Sequence, residues 1–350
     1  MPNDIDIKEN DIYAISPELL RLLLKDHTMS KPDEQVNIFW ATDNYATLGK
    51  GYQYHDQILC EAITGANGEL IKPRSQKCRE QRQQRSREMA EVFTPSWICN
   101  KQNNLVDNAW FGRENVFNTE INNPDGTHSW VATTNKISFP EKKTWMDYVC
   151  DTRLEITCGE APYLVSRYDT VTAAPIAIER RIGVLDRKLR VIGENTDTAE
   201  EWLNAAQKAY QNTYGYEWQG DNLVLAREAL LYTFIDYYEA KFGERPQLES
   251  LMEIAYIISW NIWQMDGLKG VVPDSCGKKI RPIAKERSLF DYMEEPLPEY
   301  GHHVEECPGC RKRGLTGFLM HNGTYCKIMD WETKTPITFA QLINHGKNEK

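Results

Sequence analysis

The sequence predicts an α/β protein organised around a parallel sheet, and three segments carry that prediction. Leu154-Glu155-Ile156-Thr157 is a short strand-like run that ends in Cys158-Gly159, where a small-residue turn leads into a helical pattern. Thr213-Tyr214-Gly215-Tyr216-Glu217 is a second strand, closed by an acid and followed by a long helix from Leu223 to Ala240. Asn261-Ile262-Trp263-Gln264-Met265-Asp266 is a third, reached through a helical segment from Leu251 to Trp260 and again closed by an acid. Strands alternating with helices are the pattern of βαβ units. A glycine after the first strand lets the backbone approach a ligand, and the helix that follows offers free N–H groups. An acid closing the second strand accepts hydrogen bonds from the hydroxyls of a ribose.

The other elements follow from the N-terminus. Ser16-Pro17-Glu18 reads as a cap with proline in the first turn of a helix through Leu19-Leu20-Arg21-Leu22-Leu23-Leu24. Asn37 to Trp40 reads as a strand, and Asp43 to Gln57, rich in Tyr, Gly and polar residues, as a loop. Lys72 to Glu88 is basic, with Lys72, Arg74, Lys77, Arg79, Arg82, Arg85 and Arg87 opposed only by Glu80 and Glu88. Arg79, Arg82 and Arg85 are three apart and share a helical face, which either contacts the phosphates of a nucleic acid or meets solvent. Pro95 and Ser96 begin a helix through Trp97, Asn100 and Asn104, and residues 118–140 are turn-rich, an excursion from the core. A polar connector with Arg180-Arg181-Ile182-Gly183 precedes a helix from Ala199 to Tyr210. The helix from Leu223 breaks at Gly243.

The bulk numbers narrow the class. At 350 residues, 41% hydrophobic and 26% charged, the chain can bury a substantial core. Its net charge of −10 means that any contact with a polyanion must come from a local basic patch. Most of its Trp and Tyr residues belong in the core, although an exposed aromatic ring can stack on an extruded base. Met1-Pro2-Asn3-Asp4-Ile5-Asp6 is acidic and polar, unlike a signal peptide. The longest apolar run, Ile254 to Trp263, is interrupted by Ser259 and Asn261 and falls short of the roughly 18 residues of a membrane helix. A cytoplasmic protein with reduced thiols and no membrane contact is expected.

Phe93-Thr94-Pro95 precedes the Cys158-Gly159 turn. In that order the two elements resemble the S-adenosylmethionine site of adenine-specific DNA methyltransferases, the modification subunits of restriction–modification systems. Tyr214-Gly215-Tyr216-Glu217 followed by Leu223-Val224-Leu225-Ala226-Arg227 resembles the second motif of that family. The resemblance spans roughly residues 85 to 270. It implies a partial Rossmann-like methyltransferase fold and S-adenosylmethionine as cofactor. Phe93, Thr94 and Pro95 would line its methionine end beside Cys158 and Gly159. Glu217 would take the ribose, Asp266 the adenine amine, and DNA would be the partner.

The chain departs from the family in three places. The first turn reads Cys158-Gly159-Glu160-Ala161 where the family usually has Cys-Gly-x-Gly, and the connection from Gly159 to Glu217 exceeds a compact βαβ unit. The third departure bears on catalysis. Methylating a base amine requires a flipped base stacked on an aromatic ring, with its amine held against an acceptor. The family does this with Asn/Asp-Pro-Pro-Tyr/Phe after the fourth strand, and no such tetrapeptide occurs here. Glu295-Pro296-Leu297-Pro298 and Ala161-Pro162-Tyr163 are the nearest look-alikes. The chain ends soon after Tyr325-Cys326-Lys327-Ile328-Met329-Asp330-Trp331, where a fourth strand would be expected to begin. The expected function is therefore a modification-subunit protein whose catalytic turn lies on a second chain, with that chain or a restriction subunit as partner, or an inactive pseudo-methyltransferase serving as a DNA- or partner-binding module.

Cys307-Pro308-Gly309-Cys310 is an independent signal. Cys-x2-Cys presents two thiolates to one metal, and the completing pair usually lies roughly 10–20 residues away. His321 and Cys326 fall at that spacing, with His302 and His303 as alternatives, and Arg311, Lys312 and Arg313 are placed to lower the thiol pKa. A structural zinc is the expected occupant, a redox pair or unpaired thiols the alternatives. Cys60, Cys78, Cys99 and Cys150 lack metal-like spacing and read as buried thiols. Three regions result: residues 1–88 with the basic helix, 89–271 as the cofactor-binding core, and 272–350 as a small C-terminal Cys/His lobe.

Overall fold

Leucines at helical spacing, an N-terminal proline and flanking extended residues make Pro17–Leu24 a helix (α1), buried through Leu19, Leu20, Leu23 and Leu24. It is the first large element of a computed structural model that describes residues 7–88, 94–277, 279–283, 301–312 and 315–345. The chain divides into two compact units, Met1–Gln264 with Ile328–Pro336, and Met265–Lys327 with Ile337–Lys350. No boundary falls at residue 88, because α1 packs on the long helices that flank the sheet and so joins their core.

In the first unit, α2 (Arg79–Glu88) and α3 (Ser96–Phe111) precede β1 (Arg153–Ile156). Then come α4 (Val184–Asn195), α5 (Ala199–Gln211), β2 (Thr213–Glu217), α6 (Gly220–Phe242), α7 (Leu248–Asn261) and β3 (Ile262–Gln264). The three strands pair in the order β1-β2-β3, all parallel, with Arg153 opposite Thr213, Ile156 opposite Tyr216 and Glu217 opposite Gln264. This is the expected α/β arrangement, with a small parallel sheet. β2 lies in the middle and is buried except at Tyr214, as a strand covered on both faces should be.

β1 is different. One of its faces carries Leu154 and Ile156, 42% and 68% exposed, while Glu155 turns inward. The Glu155 carboxylate accepts the amides of Tyr163 and Leu164 at 3.3 and 3.2 Å, and burial raises its pKa well above the ordinary range.

The helices are set by local chemistry. Thr198 and Glu201 form a capping box for α5, and Gly243, at φ 74°, ends α6 in the left-handed conformation glycine favours. Arg227 of α6 is fully buried, and its guanidinium donates to the carbonyls of Leu23, Lys25, Ser259 and Ile262. Arg227 thus fastens α1 and α7 to β3. Burial lowers the Arg227 pKa to about 10, which leaves it charged at neutral pH.

Two expected elements differ. Residues 118–140 contain an antiparallel hairpin, Asn118–Asn122 with His128–Ala132, whose polar strands conceal their pairing from an apolar pattern. Asn37 to Trp40 makes only isolated bridges, since its backbone bonds elsewhere instead of to a ladder. Among the described residues, no helix is long and apolar enough to cross a membrane.

Candidate functional site

The turn after β1 is strained backbone. Thr157, Gly159 and Ala161 have φ of 41°, 53° and 61°. Glycine reaches this region freely, whereas other residues do so at a cost of roughly 1–2 kcal/mol. The surroundings hold it there: Cys158 N donates to Tyr216 O at 2.8 Å, Ala161 N to Cys158 O at 2.7 Å, and Gly159 N to Glu217 Oε2 at 2.9 Å. Ala161, with φ 61°, adopts a conformation that glycine favours. Its methyl group is completely buried, and about 0.8 kcal/mol from that burial offsets much of the strain.

Cys158 and Glu217 enter the site in different ways. The Cys158 thiol packs under β2, where a Cβ on Gly215 would lie 3.1 Å from the Cys158 Cβ, so Cys158 offers the site its backbone alone. Burial raises its thiol pKa well above the ordinary range. Glu217 is 7% exposed, and its Oε1 accepts Gln219 N at 3.2 Å. Burial raises its pKa against the pull of the amides it accepts. A carboxylate has about four lone-pair sites, so Glu217 retains capacity for further donors.

Thr94 meets the connector that follows the turn, through a side-chain hydrogen bond with Tyr163 and a carbonyl that accepts Thr170 Oγ1 at 3.1 Å. Pro95 precedes α3, whose Ser96 amide is capped by Asp169 Oδ2 at 2.8 Å. Phe93 lies outside the described residues.

The expected open crevice over the strand ends is partly filled. Gln264 at the end of β3 accepts Phe39 N at 3.0 Å and donates to the carbonyls of Phe39 and Trp218, both at 2.8 Å. Gly220 N donates to Trp40 O at 2.9 Å, and a Cβ on Gly220 would lie 2.1 Å from Phe39 O. The N-terminal segment therefore crosses the carboxyl ends of β2 and β3.

The basic segment is also sorted by the fold. Arg85 is 3% exposed and donates to both carboxylate oxygens of Asp221 at the start of α6, at 2.8 and 3.2 Å. Lys77 lies 3.8 Å from the same carboxylate, and Lys72 pairs with Glu69. Arg79, Arg82 and Arg85 therefore do not act as one exposed face, because Arg85 points into the protein.

The second unit contains Asp266 and the metal-ligating residues. Asp266 Oδ1 accepts Leu268 N at 3.0 Å and Oδ2 pairs with Lys269 at 2.8 Å, so this carboxylate shapes the turn from 266 to 270. Cys276, Cys307, Cys310 and His321 bring their ligand atoms within 4.8 Å of one another. Cys276 Sγ lies 2.9 Å from Cys307 Sγ, 3.3 Å from Cys310 Sγ and 3.4 Å from His321 Nδ1. His321 Nδ1 is 3.5 and 3.8 Å from the other two sulfurs. A tetrahedral ion with metal–sulfur bonds of about 2.3 Å has ligand atoms separated by roughly 3.5–3.8 Å. His321 Nδ1 stands at about that distance from the sulfurs, and the four donors could hold one ion once Cys276 and Cys307 part by under about 1 Å.

The local sequence explains the cluster. A Cβ on Gly309 would meet His321 Nδ1 at 2.6 Å, so only glycine between Cys307 and Cys310 leaves room for the imidazole. Asn322 clamps the chain next to Cys276, giving and receiving a hydrogen bond with Gly277, and its amide donates to Cys307 Sγ. Tyr325 Oη accepts His321 N at 2.9 Å. Burial works against the Cys307 thiolate, but hydrogen bonds from Cys276 and the Asn322 amide lower its pKa to about 6. Burial and the neighbouring Cys307 and Cys310 push Cys276 up to about 12, so the pair of Cys276 and Cys307 shares one proton. Arg311 and Lys312 are exposed and do not produce the Cys307 shift, and Arg313 lies outside the described residues.

Three of the four expected ligands are thus gathered, and the fourth place belongs to Cys276. Cys326 is fully buried, its backbone bonded to Gly270 and Phe339. The side chains of His302 and His303 lie outside the described residues. Of the remaining thiols, Cys60 and Cys99 are buried and Cys150 partly so, but Cys78 is exposed. Neither a family model, nor a curated protein, nor a solved structure matches the chain.

Proposed function

We propose that this chain is the cofactor-binding part of an adenine-specific DNA methyltransferase, a modification-subunit-type protein that takes S-adenosylmethionine and acts on DNA. The observation that carries the reading is the 2.9 Å hydrogen bond from Gly159 N to Glu217 Oε2. It joins the glycine turn of the first motif to the acid of the second at the neighbouring carboxyl ends of β1 and β2, where a nucleotide would be held. The sheet supports the same reading. In a doubly wound order of 3-2-1-4-5-6, the first three strands lie side by side and the fourth adds beside the first. Here β1 pairs with β2 alone among the described residues, and Leu154 and Ile156 are exposed on one of its faces.

The missing acceptor-Pro-Pro-aromatic turn is then supplied by a second chain whose strand adds to the other edge of β1. The bound metal is zinc, because three thiolates and an imidazole make a soft, tetrahedral set with no redox demand. One finding favours the pseudo-methyltransferase alternative: residues 39–40 already cross the ends of β2 and β3, which narrows the room for a nucleotide.

Calorimetric titration with S-adenosylmethionine tests the reading, with saturable one-site binding as the expected result. Labelled methyl transfer to genomic DNA should be absent for the chain alone and appear when a chain carrying the tetrapeptide is added. Loss of that acceptor removes a positioned hydrogen bond worth about 3–4 kcal/mol, so unaided transfer falls by a hundredfold or more. Absence of any cofactor binding would sink the proposal.

A further inference from the structure

The arginines of residues 74–87 that the fold does not consume converge on one cavity. α2 contains no apolar residue, so burial of an apolar face cannot hold it in place. The Arg85–Asp221 pair holds it instead, with Arg74 reaching Ser86 across its end at 2.8 Å. With Arg85 turned inward, Arg79, Arg82, Ser86 and Arg87 fall on the other side at spacings of three, four and one, and together with Arg74 they line a cavity of about 360 Å3.

Among the described residues no carboxylate lines this cavity, although Glu160 accepts the backbone amide of Arg74 at 2.6 Å, and the side chains of Arg79, Arg82 and Arg87 form no ion pair or hydrogen bond. In a chain of net charge −10, the three guanidinium groups of Arg79, Arg82 and Arg87, gathered with no acid paired to them among the described residues, call for an anion. Thr170 closes the far wall, and its hydroxyl bonds the carbonyl of Thr94 at 3.1 Å. The cavity therefore adjoins the Thr94-Pro95 element.

We infer that this cavity is a docking site for the phosphodiester backbone of DNA, held by Arg74, Arg79, Arg82 and Arg87. Guanidinium forks match phosphate oxygens in pairs, which a planar, permanently charged group does better than lysine. A backbone phosphate seated here is placed next to the segment that the proposed function assigns to the methionine end of the cofactor, and in that respect the inference rests on that reading. Lys77 and Arg85 take no part, because both are turned towards the buried carboxylate of Asp221.

The test is fluorescence anisotropy of a labelled DNA duplex with the full chain and with the variant Arg79→Gln/Arg82→Gln/Arg87→Gln, across a salt series. Glutamine preserves helix formation, and equal melting temperatures check the fold. Loss of three phosphate contacts is expected to weaken binding by about tenfold or more and to reduce the slope of log affinity against log salt by roughly 2–3. Arg245→Gln, at an exposed pair with Glu239, should change neither. An unchanged affinity and slope in the triple variant overturns the inference. Arginine-dependent binding of inorganic phosphate or ATP without arginine-dependent binding of DNA also overturns it. Titration of S-adenosylmethionine into both proteins separates the two proposals. Arginine-dependent DNA binding in a chain that takes no cofactor leaves the docking site standing and removes the methyltransferase reading.

Discussion

Cys276→Ser is expected to strip the second unit of its metal ion, whereas Cys326→Ser should keep it. The cluster places Cys276 Sγ 2.9 to 3.4 Å from the other three ligand atoms, so it shares a face with each of them. Removing it leaves two thiols and one imidazole, takes away a thiolate that balances the charge of a divalent ion, and also removes the Cys276 hydrogen bond that lowers the Cys307 pKa. Structural zinc contributes apparent binding energies of about 10–16 kcal/mol in small domains, and binding of the metal is there coupled to folding. The expected readout is close to one zinc per chain in the wild type and far below one in Cys276→Ser, with new protease-sensitive sites confined to residues 265–327. Cys326 sits in a fully buried position, so its serine variant costs stability but not metal. Zinc retained by Cys276→Ser and lost by Cys326→Ser would restore the ligand set read from spacing alone.

That contrast shows what the sequence could and could not reveal. Cys-x2-Cys and a histidine at moderate spacing are local signals, and Cys307, Cys310 and His321 are gathered as such signals imply. Cys276 lies far outside the usual window, in an Asp-Ser-Cys-Gly turn with no metal signature of its own. Only the fold, through the Asn322 clamp on Gly277, brings it back. The sheet was legible for a similar reason. Short runs closed by Gly159, Glu217 and the end of α7 mark strands whose neighbours are adjacent in the sheet. Arg85 could not be recognised as a buried residue, because its partner Asp221 is 136 positions away and nothing in a basic run identifies which arginine turns inward. The positive φ of Ala161 was hidden too, since an alanine in a glycine conformation leaves no trace in composition.

Arg85→Ala is expected to lower the stability of the first unit by about 3–5 kcal/mol, the usual consequence of leaving one member of a buried ion pair behind. Asp221 is completely buried, so without Arg85 its carboxylate keeps the Tyr45 hydroxyl and the Asn222 amide, both at 2.9 Å, but no cation nearer than Lys77 at 3.8 Å among the described residues. Urea unfolding of Arg85→Ala, Asp221→Asn and the double variant isolates the coupling, which should exceed about 1 kcal/mol for groups in direct contact. The pH dependence has a definite sign. Burial alone would raise the Asp221 pKa, but Arg85 and Lys77 lower it to about 2. A folded pKa below the unfolded one contributes stability above about pH 4 and loses it as the pH falls through about 2, because the unfolded state binds the proton first. The amplitude for a depression of this size is about 2–3 kcal/mol. The wild type should therefore weaken between pH 4 and pH 2 more steeply than Asp221→Asn. Because α2 has no apolar face to hold it, Arg85→Ala should also abolish the arginine-dependent part of DNA binding although it leaves every arginine of the cavity in place. Unimpaired DNA binding together with unchanged stability would mean that the helix is held by contacts other than this pair.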